Sequence, residues 1–396
     1  MNVLVCNAGS TSLKFKLFCM EDEVPSAEAR VERVGQEDAI FYYKNLLTGQ
    51  ESLLENQSVP TYTTGIHLFL DYLLGSTTGV IEHISQIDRI GFKTVLARGY
   101  YGIHELTAPV IQAMEEMMCV APAHNGPYLE AIRELKVILP HTPMIGAFET
   151  AFHTTIPLER RLYGIPFEWY QTYGIQRMGY HGASHSYIAE TITHLYGRGQ
   201  KVISCHLGGS CSLCAIDDGK SADTSFGFSL QTGILHANRT GDLDPYIYPY
   251  LLKQGLSLEE ISYGLDKKGG LLGISGISND LRKIMEQLHN PRAQLAFDCF
   301  CNDIIKYTGS FYAELGGLDH LVFTGGIGEH SAAVREHVCR RLAHLGILLD
   351  REKNLASKPD SIISDSASSV VIHIIKANEE LGVARKTARL SLLSGV

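Results

Sequence analysis

The sequence predicts an α/β protein built from two related lobes, and three observations carry that prediction. Two strand–turn–strand segments, starting at Val3 and at Val202, repeat the same order of residues. Strand-like and helix-like patterns alternate along the chain. Its 396 residues, 45% hydrophobic and 19% charged, are enough to bury two cores. In the first segment VLVCNAG runs as an apolar strand into a polar turn at Asn7-Ala8-Gly9-Ser10, and STSLKFKLF returns as an alternating strand. In the second, VISCHLG turns at His206-Leu207-Gly208-Gly209, GSCSLC returns, and Asp217-Asp218-Gly219 turns again. The two align with a single-residue gap, which reads as an internal duplication. The expected lobes are residues 1–150, completed by a C-terminal helix at 378–396 that packs back on them, and residues 151–377.

The elements between follow from periodicity. Val110 to Met118 and Tyr128 to Leu135 place apolar residues at helical spacing, and Met144 to Phe148 reads as a short strand, with Pro122, Pro140 and Pro157 as breaks. Further on, Asn279 to Leu288 and Arg292 to Glu314 read as helices. LDHLVFTGGIGEHSAAVREHVCRRLAHLGI reads as buried strand, glycine turn and long helix. Asn378 to Leu393 is amphipathic at helical spacing.

Charge and cysteine usage narrow the function classes. A net charge of -9 argues against a surface that neutralises a nucleic-acid backbone. No run of about 18 apolar residues occurs, and the start MNVLVCNAGS lacks the pattern of an export signal, so a cytoplasmic protein without membrane contact is expected. Nine cysteines without a dense short-loop framework read as reduced thiols. Cys205, His206, Cys211 and Cys214 have soft-ligand chemistry, but their spacing lacks tight pairs, and buried strand cysteines are the favoured reading over zinc.

Three glycine-containing turns stand out, at Asn7 to Ser12, His206 to Ser210 and Gly325 to Glu329. Such turns present consecutive backbone N–H groups, and a following helix adds the positive end of its dipole, which together suit phosphate oxygens. Neither a G-x-x-x-x-G-K-[ST] loop nor a G-x-G-x-x-G fingerprint is present, so a P-loop or dinucleotide fold is disfavoured.

NAGSTSLKFKLF, MGYHGASHSYIAE, CHLGGSCSLCAIDDGKSADTSFGF, ANRTGDLDP, FTGGIGEHSAAVRE and KANEELGVARKT occur in the order found in acetate kinases, and the chain resembles that family over nearly its full length. The resemblance implies the duplicated, ribonuclease-H-like fold of the acetate and sugar kinase, actin and chaperone ATPase superfamily. It also implies a homodimer, ATP as co-substrate, a Mg2+ or Mn2+ ion, and a small carboxylate as acceptor. Carried over by motif, Asn7 and Glu379 would serve the metal. Lys14, His206, Leu207, Gly208, Gly209, Ser210, the Asp280-Leu281-Arg282 stretch, and Gly325, Gly326, Ile327, Gly328 and Glu329 would bind ATP. His181 and Arg239 would meet the charge that spreads over the phosphoryl oxygens in the transition state.

Two departures touch the acceptor end. Where the family carries an arginine for the substrate carboxylate, GFKTVLARG offers Lys93, a point charge in place of a bidentate fork, with Arg98 five residues on. Where the family has a catalytic aspartate, FETAFH carries Glu149, one methylene longer. Around the acyl group, Ala123 replaces a leucine, Tyr180 a phenylalanine and Leu230 a proline, while Val95 and His124 keep the family's types. The leading expectation is reversible phosphorylation of acetate or propionate. The alternatives are a kinase of a longer or substituted carboxylate, and a catalytically degenerate nucleotide-binding paralogue.

Overall fold

A computed structural model describes residues 1–9, 11–120 and 122–393, without the side chains of 122–124 and 391–393. The chain divides into two compact units. Lobe 1 comprises 1–151 and the C-terminal segment from Asn378, and lobe 2 comprises Phe152–Ala377.

In lobe 1, β1 (Asn2–Gly9), β2 (Ser12–Cys19), β3 (Val24–Glu32), β4 (Gln36–Asn45), β5 (Glu51–Val59), β6 (Arg89–Phe92), β7 (Ile103–Glu105) and β8 (Met144–Ala147) form one mixed sheet. Its order is β5-β4-β3-β2-β1-β6-β8-β7. The antiparallel meander β1 to β5 meets a parallel set in which β6 lies beside β1 and β8 beside β6. Strand β1 is apolar and buried from Val3 to Cys6 because both its faces are covered there. On one face Phe15 stacks on Phe69 of the helix Tyr62–Leu73, with centroids 4.3 Å apart. On the other, Val383 and Ala384 of the helix Glu379–Leu393 pack with Val3, Val5, Phe18 and Ala147. Gly91 makes that second contact possible: a Cβ there would lie 2.4 Å from the Thr387 hydroxyl.

Lobe 2 repeats the plan. Its strands are β9 (Lys201–His206), β10 (Ser212–Asp217), β11 (Lys220–Thr224), β12 (His320–Thr324), β13 (Ser361–Ile362) and β14 (Val371–Ile374), in the order β11-β10-β9-β12-β14-β13. The run β11-β10-β9-β12-β14 matches β3-β2-β1-β6-β8 strand for strand and direction for direction, the topology that the duplicated hairpins predict. Ile188, Ala189 and Ile192 of the helix Gly182–Tyr196 cover one face. Phe297, Phe300, Ile304 and Phe311 of the helix Pro291–Leu315 cover the other.

Several element bounds differ from the sequence reading for local reasons. The Asn279 to Leu288 helix is only Leu281–Met285, because Asp280 takes the N-cap and accepts the Arg282 N–H at 2.9 Å. The long helix after β12 is two, Gly325–His330 and Ala332–Leu342, broken where Ser331 caps the second. Helix Pro122–Ile138 takes in Pro127 and runs further at both ends than Tyr128 to Leu135.

Candidate active site

Open α/β sheets bind ligands at the carboxyl ends of their parallel strands, and both lobes gather their polar chemistry there. In lobe 1, Asn7 is near the end of β1, Lys93 follows β6, and Glu149 lies two residues beyond β8. Lys93 Nζ is 3.1 Å from Glu149 Oε1 and also pairs with Glu379 Oε2, at the start of the C-terminal helix. All three side chains are largely buried, at 16%, 5% and 14% exposure. Burial opposes the charge on Lys93, but Glu149 and Glu379, with Tyr128 nearby, hold its pKa well above the usual lysine value. The Tyr128 hydroxyl donates to Asn7 Oδ1 at 2.7 Å. Val95 is buried beside this cluster in sequence, Arg98 is exposed, and Lys93 is a cation on these carboxylates. Lys14 opposes Asn7 across the β1–β2 pair and lines a shallow cleft with Lys16, Arg30 and Glu380. Ser10 and the side chains of Ala123 and His124 lie outside the described residues.

In lobe 2, β9 ends at His206 and the loop 207–211 is stitched to the segment after β12. Leu207 donates its N–H to Thr324 O at 2.9 Å, and Leu207 O accepts from Ile327 N–H at 2.8 Å. Gly325 has φ +76°, and a Cβ there would stand 2.7 Å from Leu207 O, so only glycine fits this approach. Gly208, Gly209, Asp280, Leu281, Arg282, Gly326 and Ile327 line a single cavity of about 1030 Å³, completed by groups that include Met285, His330 and Leu355. Three sequence segments separated by long stretches of chain thus meet at one void. Ser210 Oγ is buried near it in sequence without a hydrogen-bond partner. Glu329 does not line the cavity: its Oε1 accepts from the N–H groups of Gly325, at 3.1 Å, and Ala377, at 3.0 Å, which gives it a stapling role in the lobe. His206, Leu207, Gly325 and Gly328 are likewise outside the lining.

His181 caps the helix Gly182–Tyr196 in the left-handed region, at φ 57° and ψ 26°. Its ring lies 4.2 Å from that of His206 and 5.2 Å from Phe226, and its Nδ1 is 2.8 Å from Ser212 Oγ. His206 Nδ1 in turn meets Ser184 Oγ at 2.8 Å. Arg239 donates from Nη1 to the backbone oxygen of Leu230 at 2.5 Å, so the contact uses the main chain at 230, not its side chain. Burial lowers the Arg239 pKa to about 10, which leaves the guanidinium charged at neutral pH. The extra hydroxyl of Tyr180 donates to Phe228 O at 2.7 Å.

The sequence reading did not single out His185, Ser204, Ser212 or His236. His236 stacks on Phe226 at 5.3 Å, and its Nδ1 accepts the Cys211 N–H at 3.0 Å. Burial, with Arg239 adding to it, pushes the His236 pKa well down. His185 sits four residues after His181, a spacing that places both on one face of a helix and could have flagged it. Cys205, Cys211 and Cys214 are buried free thiols whose pKa values burial raises.

A family model described as the Acetokinase family matches residues 2–385. The chain belongs to the acetate kinase family. It is 40% identical to an acetate kinase of Carboxydothermus hydrogenoformans over 98% of this chain and 99% of that one. A second acetate kinase, of Halothermothrix orenii, shows the same identity and coverage. Among solved structures, an acetate kinase of Porphyromonas gingivalis superposes with a TM-score of 0.88 at 33% identity. A propionate kinase of Francisella tularensis superposes with 0.90 at 33%, each pair covering 98% of this chain and 99% of the other. Members of the acetate kinase family are ATP-dependent phosphotransferases with a carboxyl group as acceptor, and that reaction class belongs to this chain.

Proposed function

We propose that the protein transfers the γ-phosphoryl group of ATP reversibly to acetate or propionate, with the acyl phosphate and ADP as products. The observation that carries this reading is the cavity walled by Gly208–Gly209 and Gly326–Ile327, where the Gly209 and Gly326 N–H groups suit a nucleotide's phosphates while those of Gly208 and Ile327 hold the two turns together. The buried, unpartnered Ser210 hydroxyl supplies a further donor for an anion. Arg239 and the His181 ring stabilise charge as it develops on the phosphoryl oxygens. By the family's motifs, Lys93 would draw the acceptor carboxylate, Glu149 stands where the family has its aspartate, and Val95, Ala123, His124, Tyr180 and Leu230 are the positions that the family assigns to the acyl group.

A divalent cation is part of this reading. Asn7 offers an amide oxygen and Glu379 a carboxylate, with Glu149 drawn to the same ammonium, and these hard oxygens suit Mg2+ or Mn2+. Once bound, the ion would neutralise charge on the nucleotide phosphates. Tyr128 orients the Asn7 amide, and Lys93 keeps the two buried carboxylates from repelling one another.

A homodimer is part of the same reading. Phe167, Trp169 and Tyr173 stand 54%, 46% and 64% exposed on the helix Phe167–Tyr173, an apolar surface of the kind that oligomers cover. The free cysteines suit a reducing, cytoplasmic location, and no described helix is long and apolar enough to cross a membrane.

The test is ADP formation with hydroxylamine trapping of acyl phosphate across a panel of carboxylates. Trapped product with acetate or propionate is expected. Product only with longer or hydroxylated acids would move the acceptor class, and nucleotide binding without product would mark a degenerate paralogue.

A further inference from the structure

We propose that Ser204, His185 and Ser212 form an oriented hydrogen-bond chain that holds His181 as the neutral tautomer with its proton on Nε2. The three are thereby positioning residues for the phosphoryl transfer. Their role in turnover rests on the reading of His181 given above, whereas the orientation of the chain does not.

Ser204 lies on β9, Ser212 on the neighbouring β10, and the two histidines are one turn apart at the start of the helix Gly182–Tyr196. Ser204, Ser212 and His185 are fully buried and His181 is 7% exposed. Ser204 Oγ meets His185 Nδ1 at 2.9 Å, His185 Nε2 meets Ser212 Oγ at 2.8 Å, and Ser212 Oγ meets His181 Nδ1 at 2.8 Å.

Donor accounting gives this chain a direction. Among the described residues the Ser204 hydroxyl has one partner, His185 Nδ1. If Ser204 accepted there, its own O–H would be buried with nothing to donate to, an arrangement disfavoured by roughly tenfold or more. Ser204 therefore donates, and His185 Nδ1 carries a lone pair. Burial keeps His185 neutral, so its single ring proton is on Nε2 and goes to Ser212 Oγ. Ser212, having accepted from His185, spends its one proton on His181 Nδ1. The Nδ1 of His181 is then an acceptor, and the proton of the neutral ring sits on Nε2.

That tautomer has a consequence for the chemistry. An Nε2–H can donate to a phosphoryl oxygen without the ring first acquiring a charge, and the donor is in place before charge develops. The left-handed backbone at His181 fits the same picture. A non-glycine residue is held in that region only where its surroundings over-determine it, and Ser212, His206 and Phe226 all bear on this one ring.

The experiment is a nitrogen NMR spectrum of the full chain carrying 15N-labelled histidine, with the His181 signals identified by their loss in His181→Gln. In the wild-type protein His181 is expected to show a protonated Nε2 and a bare Nδ1. Ser204→Ala removes the terminal donor, so the second tautomer should appear at His181. Its kcat should fall several-fold while both Michaelis constants stay within about twofold. Ser212→Ala should lower kcat by roughly tenfold or more. A wild-type ring protonated on Nδ1, or ring signals unchanged in both serine variants, overturns the proposal. If either variant fails to fold, the wild-type spectrum still decides the orientation. Unchanged turnover in His181→Gln would instead remove the catalytic reading of His181, leaving the tautomer result to stand by itself.

Discussion

At the end of β1, pairing with β2 runs out to Gly9 and Ser12. At the end of β9 pairing stops at His206 and Ser212, and residues 207–211 form an open loop. The neighbouring strand ends differ in the same sense. After β6 and β8, lobe 1 carries Lys93 and Glu149, locked together with Glu379. After β12, lobe 2 carries Gly325–Ile327, whose contribution is backbone, with imidazoles and serine hydroxyls around His181 and the charged side chains of Asp280 and Arg282 on the cavity wall. One topology therefore serves two chemistries. Fixed charges suit the gripping of a single carboxylate or cation, whereas a triphosphate that brings its own charge is better met by many small neutral donors.

That contrast predicts, first, that acid should undo lobe 2 before lobe 1. Burial pushes His153 and His373 down to about 4 and His185 and His236 well below the usual value, and all four lie in lobe 2. Between about pH 6.5 and 4 the unfolded chain binds protons that the folded lobe refuses. Stability is thus present above pH 6.5 and falls as pH drops, by up to about 1.4 kcal/mol per pH unit for each histidine. Urea melts at pH 7 and pH 5 should differ by several kcal/mol, with amide exchange at pH 5 rising first within residues 152–377. Uniform exchange in both lobes would break the comparison.

Arg239 is a buried charge in lobe 2. Arg239→Ala should lower kcat by roughly a hundredfold or more with a smaller change in the Michaelis constant for ATP, since its charge acts mainly in the transition state. Steady-state kinetics with equal turnover would take Arg239 out of the catalytic set.

In lobe 1, Lys93 and Glu149 depart from the family together, and they touch each other. A shorter acid beside a longer cation should restore the same reach. Lys93→Arg and Glu149→Asp are each expected to lose kcat/KM for acetate by about tenfold, and the double variant to recover most of it, a coupling of about 2 kcal/mol or more. Strict additivity would show that the two changes are independent.

The smallest effect should come from Ser210→Ala. Loss of one neutral donor from a loop that supplies several should raise the Michaelis constant for ATP by only about fivefold, the worth of one net hydrogen bond. A hundredfold rise would mean that the loop depends on one side chain rather than on its backbone.

The fold was legible because the duplication survives in the hairpins themselves: VLVCNAG and VISCHLG keep apolar strands that are buried on both faces in each lobe. Strand ends and glycine turns were equally readable, since glycine at Gly325 is demanded by backbone approach. The pairing of Lys93 with Glu379 was not, because the two are 286 residues apart and neither side chain's neighbours show in local pattern. Nor could Ser204 and Ser212 be told from ordinary strand serines until β9 and β10 placed them on either side of His185. The carboxylate of Glu329 reads as a site group in FTGGIGEH, yet its bonds run to Gly325 and Ala377.

The helix Glu379–Leu393 belongs to lobe 1 although the whole of lobe 2 precedes it in the chain. During synthesis from the amino terminus, the sheet of lobe 1 emerges long before the helix that covers Val3, Val5, Phe18 and Ala147. Lobe 2 can close on the ribosome, while lobe 1 must wait with one apolar face uncovered until the helix Glu379–Leu393 has followed lobe 2 out. A ribosome stalled before residue 379 would hold a nascent chain that is half folded and half in need of a chaperone.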